Sequence, residues 1–242
     1  MRIGAITDVG KQRRLNEDSY FVYKNENLLG GMVADGMGGQ NAGEVASAMA
    51  TQIVKEYLMN EFNPDMDYMQ MSDLIKYAFI EANDRIYNYS KTNNDFEGMG
   101  TTATLAIIYK NKLITAHVGD SRAYLVGKES ITQITKDHSY VQELLSRGEI
   151  TKEFADRHPA RNYITRAVGS ENSIKVDVVV SDYHDEVVLL CSDGLSNMLS
   201  DSQIIQIVEE NENLQSAAEA MIRLANKKGG LDNITAVVFS KN

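Results

Sequence analysis

Five short segments of the 242-residue chain place acidic side chains at the edges of apolar runs. They are Asn16-Glu17-Asp18, Asp35-Gly36-Met37-Gly38-Gly39, Gly119-Asp120-Ser121-Arg122, Ser192-Asp193-Gly194 and Leu231-Asp232-Asn233. Three of them set Asp beside Gly, and a glycine lets the backbone come close enough for a main-chain carbonyl to join a ligand set. One Asp-Gly after a strand is an ordinary turn. Five acidic strand ends brought together would repel one another, and a hard cation is the usual way to neutralise them. Oxygen-only donors favour Mg²⁺ or Mn²⁺ over Zn²⁺. The four histidines, His117, His138, His158 and His184, show no tight metal-binding spacing. Arg13, on a loop that contains Gly10, could hold a phosphate through its guanidinium fork or pair with one of these acids. Arg122 reads as a structural ion pair. Cys191, the one cysteine, ends an apolar run and reads as a buried, inert thiol.

Elements that could position these residues follow from the apolar pattern. Ile3–Thr7, Ser19–Lys24 and Leu28–Ala34 read as strands. Val45, Met49, Ile53 and Tyr57 recur along one face of a first helix, and Ile75, Phe79, Ala82 and Ile86 along one face of a second, with Ser72 as its N-cap. Thr101–Tyr109 and Lys112–Val118 read as a hairpin turning at Lys110-Asn111. Arg122–Val126 and Ser130–Thr135 follow. Ser139 and Gln142 make a capping box for a short helix ending near Gly148. Residues 149–170 are polar and aperiodic. Ile174–Val180 and Glu186–Cys191 are further strands, Ser200 and Gln203 cap a helix to about Glu210, Leu214–Lys228 is the last helix, and Asn233–Phe239 the last strand. Hairpin-linked strands interrupted by paired helices argue for an α+β fold with antiparallel sheets rather than a doubly wound parallel one.

Apolar residues make up 43 % of the chain and only 2 are proline, which excludes global disorder and a proline-rich linker. No composition shift or repeat divides it, so residues 1–242 read as one domain. With 24 basic against 34 acidic residues the formal charge is −10. That argues against nucleic acid and anionic membranes as partners. No apolar run approaches the length of a membrane span, and Met1-Arg2-Ile3-Gly4-Ala5 lacks a signal-peptide core, so a cytoplasmic monomer is expected. No phosphate-binding loop of the NTPase type occurs.

Seven motifs in order resemble the metal-dependent protein phosphatase 2C family in its bacterial form. Thr7–Asp18 is similar to the family's opening motif, and Val33–Gly39 to its second. Gly100-Thr101-Thr102-Ala103, His117–Arg122, His158-Pro159 with Ile164–Gly169, Ser192–Leu195 and Asp232–Thr235 follow. The resemblance implies a four-layer α-β-β-α sandwich of two antiparallel sheets flanked by helix pairs. It implies two Mn²⁺ or Mg²⁺ ions, with Asp35 bridging, the Gly36 carbonyl on one ion, and Asp193 and Asp232 on the other. Glu17 and Asp18 would act through metal-bound waters, Arg13 would bind the substrate phosphate, and Asp120 with Asp193 matches a third, weaker site. Residues 145–170 would be a flap. The implied activity is hydrolysis of phosphoserine and phosphothreonine in proteins, opposing a bacterial serine/threonine kinase of the Hanks type. Two positions depart from the pattern. Met37 stands where animal members carry a proton-donating histidine, and Gln40 where many bacterial members have histidine. A water on the metals is then expected to supply the leaving-group proton; His138 and His158 are the alternatives, and both otherwise read as structural residues in or near the flap. A pseudophosphatase that has lost its metals is disfavoured by the full set Asp18, Asp35, Asp193 and Asp232.

Overall fold

A computed structural model describes residues 1–38, 42–155 and 157–242, so Gly39 and Gln40 lie outside the described residues. Numbered in chain order, one sheet runs β1 (Arg2–Asp8), β11 (Ile234–Ser240), β10 (Val187–Cys191), β7 (Arg122–Val126) and β8 (Ile131–Gln133) from edge to edge. The other runs β2 (Asp18–Lys24), β3 (Leu28–Met37), β5 (Ala103–Tyr109), β6 (Lys112–Val118) and β9 (Asp177–Asp182), with the short β4 (Gly100–Thr101) on the end of β3. The ladders are antiparallel. Helices α1 (Ala42–Glu61) and α2 (Tyr68–Thr92) cover the β2-to-β9 sheet. Helices α5 (Asp193–Ser196), α6 (Asp201–Glu210) and α7 (Leu214–Lys227) cover the other. Two short helices, α3 (Tyr140–Ser146) and α4 (Lys152–Ala155), lie in the excursion between β8 and β9. The four layers are those the resemblance implies.

Strand periodicity sorts side chains between layers. In β3, Met32 and Ala34 face the α1–α2 side, whereas Leu29 and Val33 face the seam between the sheets. In β11, Ala236 and Val238 pack under α7, and Val237 and Phe239 enter the seam. Both faces of both sheets are therefore covered, which is why these antiparallel strands read as nearly continuous apolar runs.

Several boundaries differ from the sequence reading. Helix α2 starts at Tyr68, not after Ser72, because Asp67 and Gln70 form a complete capping box one turn earlier. The strand expected at Ile174–Val180 lies at Asp177–Asp182, where β6 offers partners, and Ile174 and Val176 pack on the α1–α2 core instead. The Ser130–Thr135 strand shortens to Ile131–Gln133; the Thr135 hydroxyl takes over the bond to the Ala123 amide. Ser139 caps α3, but Gln142 reaches Ser146 rather than back to the cap, so the box is half formed. The Lys110-Asn111 turn is as expected, with φ of 45° and 61°, the left-handed pair of a type I′ hairpin.

Candidate active site

The seam between the sheets changes chemistry along its length. Its middle is apolar, with Val33, Leu190 and Val237. Toward one end, the same strand parity delivers hydroxyls: Thr102 and Thr104 around the start of β5, Ser121 before β7, Ser192 after β10 and Thr235 in β11, all buried. Beyond them lie the acids. Asp18 and Asp35 stand directly opposite in the β2–β3 ladder. Their parity matches that of the seam-facing Tyr20 and Val33. Asp120 occupies the turn from β6 to β7, Asp193 opens α5 behind β10, and Asp232 precedes β11. A pocket of about 280 Å³ at this end is lined by Arg13, Glu17, Asp35, Gly36, Asp120, Asp193 and Asp232. Asp18 lies beneath it. The acids singled out from the sequence, Gly36 and Arg13 are thus at this one end of the sandwich.

Each acid is held by specific contacts. One Asp18 carboxylate oxygen accepts from Ser192 Oγ at 2.7 Å and Thr235 Oγ1 at 2.6 Å, while the other is buried with no hydrogen-bond partner. The Asp35 amide donates to Thr102 Oγ1 at 2.8 Å, and the Thr102 amide donates back to the Asp35 carbonyl at 2.8 Å. This exchange is what breaks the expected Thr101–Tyr109 strand into β4 and β5. Thr102 Oγ1 also shares a hydrogen bond with Ser121 Oγ, tying the Asp35 strand to the Asp120 turn. Asp193 accepts from Asn197 at 3.1 Å through one oxygen, and its other is buried and unpartnered. Asp232 accepts from the Asn233 amide and from Arg13 Nη2 at 2.8 Å. The Glu17 amide donates to Asn233, and the Glu17 carbonyl accepts from the Gly36 amide and Ser47.

Burial dominates the electrostatics. It pushes the Asp18 carboxyl up to about 7, against the pull of Thr235 and Ser192, with Asp193 and Asp232 adding repulsion. Asp120 rises to about 7 through burial and Asp193, and Asp193 to about 6 through burial and Asp232. Asp35 is raised well above the ordinary range by burial and by its four acidic neighbours, and burial also raises Glu17. Arg13 is held more firmly charged, first by its hydrogen bond to Asp232. Among the described residues no three of these acids close into a preformed cage. The donor set nevertheless fits a hard divalent cation. It is all oxygen, crowded and electrostatically frustrated, and two buried carboxylate oxygens lack any partner.

A family model for protein phosphatase 2C matches residues 10–236. The chain belongs to the protein phosphatase 2C family. The serine/threonine phosphatase Stp of Listeria welshimeri is 39 % identical over 238 residues, covering 98 % of this chain and 94 % of the relative. Protein phosphatase PhpP of Streptococcus pneumoniae is 39 % identical over 248 residues, covering 100 % and 98 %. Among solved structures, the serine/threonine phosphatase PstP of Mycobacterium tuberculosis matches with a TM-score of 0.87 at 37 % identity, covering 98 % of this chain and 97 % of that one. The PstP catalytic domain in complex with two manganese ions matches at 0.82 and 35 % identity, covering 98 % and 96 %. As a phosphatase 2C, the chain presents its acids where both sheets terminate.

Other residues settle differently. Arg13 forms the ion pair that was one of its two readings, bonding Asp232, and it does so at the pocket. Arg122 is the structural ion pair expected, binding Asp137 through Nε and Nη2, the latter at 2.7 Å. Cys191 is fully buried and its thiol is pushed up to about 12. Met37 lines the pocket, but His138 and His158 do not. His138 is bonded at both ring nitrogens, and His158 accepts from the Ala160 amide beside the rings of Tyr140 and Phe154. The His138 ring is thus engaged away from the pocket. Sequence reading passed over the hydroxyl layer and Asn162; with Ile164, which opens a motif already noted in the expected flap, Asn162 brings the excursion between β8 and β9 to the pocket rim. Strand parity carried a signal for the hydroxyls, which fall in register with the seam residues. Asn162, in an aperiodic stretch, carried none.

Proposed function

We propose that this chain, acting as one catalytic domain over residues 1–242, is a Mn²⁺- or Mg²⁺-dependent phosphatase. Its substrates are phosphoserine and phosphothreonine in proteins, and it reverses the work of a bacterial serine/threonine kinase in the cytoplasm. The observation that carries this reading is the convergence of Asp18, Asp35, Asp120, Asp193 and Asp232 with Arg13 at one seam end, with buried carboxylate oxygens left unpartnered. The two manganese ions of the PstP complex support it.

Asp35, the Gly36 carbonyl, Asp193 and Asp232 would hold two ions, Glu17 and Asp18 would act around them, and Asp120 with Asp193 would hold a third. Bound divalent cations supply water activation at neutral pH and charge for the phosphoryl oxygens. Arg13, half exposed at the mouth, turns its guanidinium to the substrate phosphate while Asp232 fixes its position. A water oxygen bonds to phosphorus as the bond to the serine or threonine oxygen breaks, and inorganic phosphate leaves. Met37 can donate no proton and His138 is engaged elsewhere, so the leaving oxygen takes its proton from water. The buried hydroxyl layer keeps the carboxylates aimed without rearrangement, which is how a preorganised site lowers a barrier.

The test is hydrolysis of p-nitrophenyl phosphate and of a phosphothreonine peptide with Mn²⁺, with EDTA, and by Asp35→Ala. Release that needs Mn²⁺ and is lost in the variant is expected. No release from either compound by folded, Mn²⁺-supplied protein would sink the proposal.

A further inference from the structure

His138 joins three parts of the molecule that are far apart in sequence. Its backbone amide donates to the Gly119 carbonyl at 2.7 Å, and its Nδ1 accepts the Gly119 amide at 3.1 Å. Both main-chain groups of Gly119 are therefore held by one residue. That acceptor role puts the ring proton on Nε2, which donates to Asp177 Oδ2 at 3.1 Å on β9. Asp177 in turn accepts from Arg166 Nη1 at 3.0 Å. The His138 carbonyl accepts the Thr165 amide at 2.7 Å. Thr165 and Arg166 continue directly from Asn162 and Ile164, which line the acid pocket.

Gly119 needs this grip. Its φ of +110° is a conformation that other residues rarely take, and a Cβ there would meet Thr102 Cβ and Cγ2 at 2.6 Å. The turn is pressed against Thr102 on one side and clamped by His138 on the other, and Asp120 is its next residue. The His138 ring is itself buried and packed on His117, with centroids 4.7 Å apart.

We infer that His138 is a positioning residue, clamping the Gly119–Asp120 turn to the return leg of the flap so that Asp120 and the Asn162–Ile164 rim keep one fixed relation across the pocket. This rests on the phosphatase reading for its catalytic consequence, but not for its geometry. The side chain touches neither the pocket nor substrate, so its effect falls on turnover rather than on binding of a small substrate.

The test uses the full chain with His138→Ala, His138→Asn and Asp177→Ala. Asn places an amide oxygen where Nδ1 sits and keeps the bond to Gly119, while Asp177→Ala, at a partly exposed position, removes the outer support shared by the His138 ring and Arg166. With p-nitrophenyl phosphate and Mn²⁺, His138→Ala is expected to lose about tenfold in kcat with KM within about twofold, the scale of a small misplacement in a preorganised site. His138→Asn should recover most of the loss, and Asp177→Ala should shift kcat the same way by less. In substrate-free amide spectra, the Gly119, Asp120 and Thr165 signals should move together in His138→Ala and Asp177→Ala. Unmoved Asp120 and Thr165 amides in a folded Asp177→Ala, or kcat equally low in folded His138→Asn and His138→Ala, would overturn the inference. Should His138→Ala fail to fold, the other two variants decide. A wild-type protein without Mn²⁺-dependent hydrolysis would refute the functional reading, whereas the substrate-free amide comparison judges the clamp independently.

Discussion

Replacing Gly36 by alanine probes how tightly the site is built. A Cβ on Gly36 would lie 2.0 Å from the Gly43 carbonyl oxygen, 2.4 Å from the Gly43 carbonyl carbon and 2.7 Å from the Glu17 carbonyl oxygen. All three are backbone atoms, so no side chain can swing aside. Reaching even a tight 3.0 Å contact with the first requires the end of β3 and the start of α1 to part by about 1 Å. The displaced segment carries Asp35 on one side and the Glu17 contacts on the other. Overpacking of this kind costs about 1–3 kcal/mol, so the protein stays folded with a lowered Tm. A 1 Å error in a preorganised site costs about a hundredfold in rate. Gly36→Ala should therefore lose about two orders of magnitude in kcat on p-nitrophenyl phosphate while its circular dichroism spectrum stays native. A variant with kcat within about threefold of wild type would refute the reasoning, because the backbone would then have absorbed the methyl without disturbing Asp35.

Proton linkage and thiol chemistry give two more tests. Asp18 and Asp120 sit near 7 and Asp193 near 6 in the folded chain, against an ordinary 3.8, so the folded state holds protons that the unfolded state has lost. In EDTA, stability should fall as pH rises from about 4 to about 7, Mn²⁺ should restore it at the upper end, and Asp18→Asn should flatten the slope. A Tm in EDTA that climbs over this range would contradict the assignment. Burial holds the Cys191 thiol near 12 against an ordinary 9.0, so the thiol is protonated and shielded at neutral pH. An aromatic disulfide reagent should label it only on unfolding, and stoichiometric labelling of the native protein at about pH 8 would contradict its burial.

The acids were legible in the sequence because five strand boundaries carry carboxylates, a set that says more than any one Asp-Gly turn, and Asp-Gly pairs mark close backbone approach. The hydroxyl layer was not. Serine and threonine are common, and their meaning here depends on which strand face meets the other sheet, a fact settled only when the two sheets pack. Thr102 illustrates the point: within an apolar run it looks like a strand residue, yet its exchange with Asp35 interrupts the strand. Ser72 was the cap expected for α2, but the reciprocal bonds of Asp67 with Gln70 start the helix a turn earlier, and a reciprocal pair is not visible in residue types alone. His138 could be read as a proton donor because sequence reveals a ring but not the partners that occupy it.

The direct opposition of Asp18 and Asp35 makes the active end hostage to the far end of its own hairpin. Their pairing belongs to a ladder that closes at Lys24 and Leu29, where Asn25 caps the reversal by accepting from the Asn27 and Leu28 amides. That reversal is six residues up the strand from Asp18, about 20 Å away. If one residue were added there and the shift propagated down the ladder, Asp18 would turn to the opposite face from Asp35. A two-residue shift would keep the face but separate the carboxylates by about 7 Å along the strand. Length in a solvent-facing turn, ordinarily the most permissive trait of a protein surface, thus bears on the active end to the extent that an insertion at 25–27 shifts the ladder and is not absorbed as a longer loop.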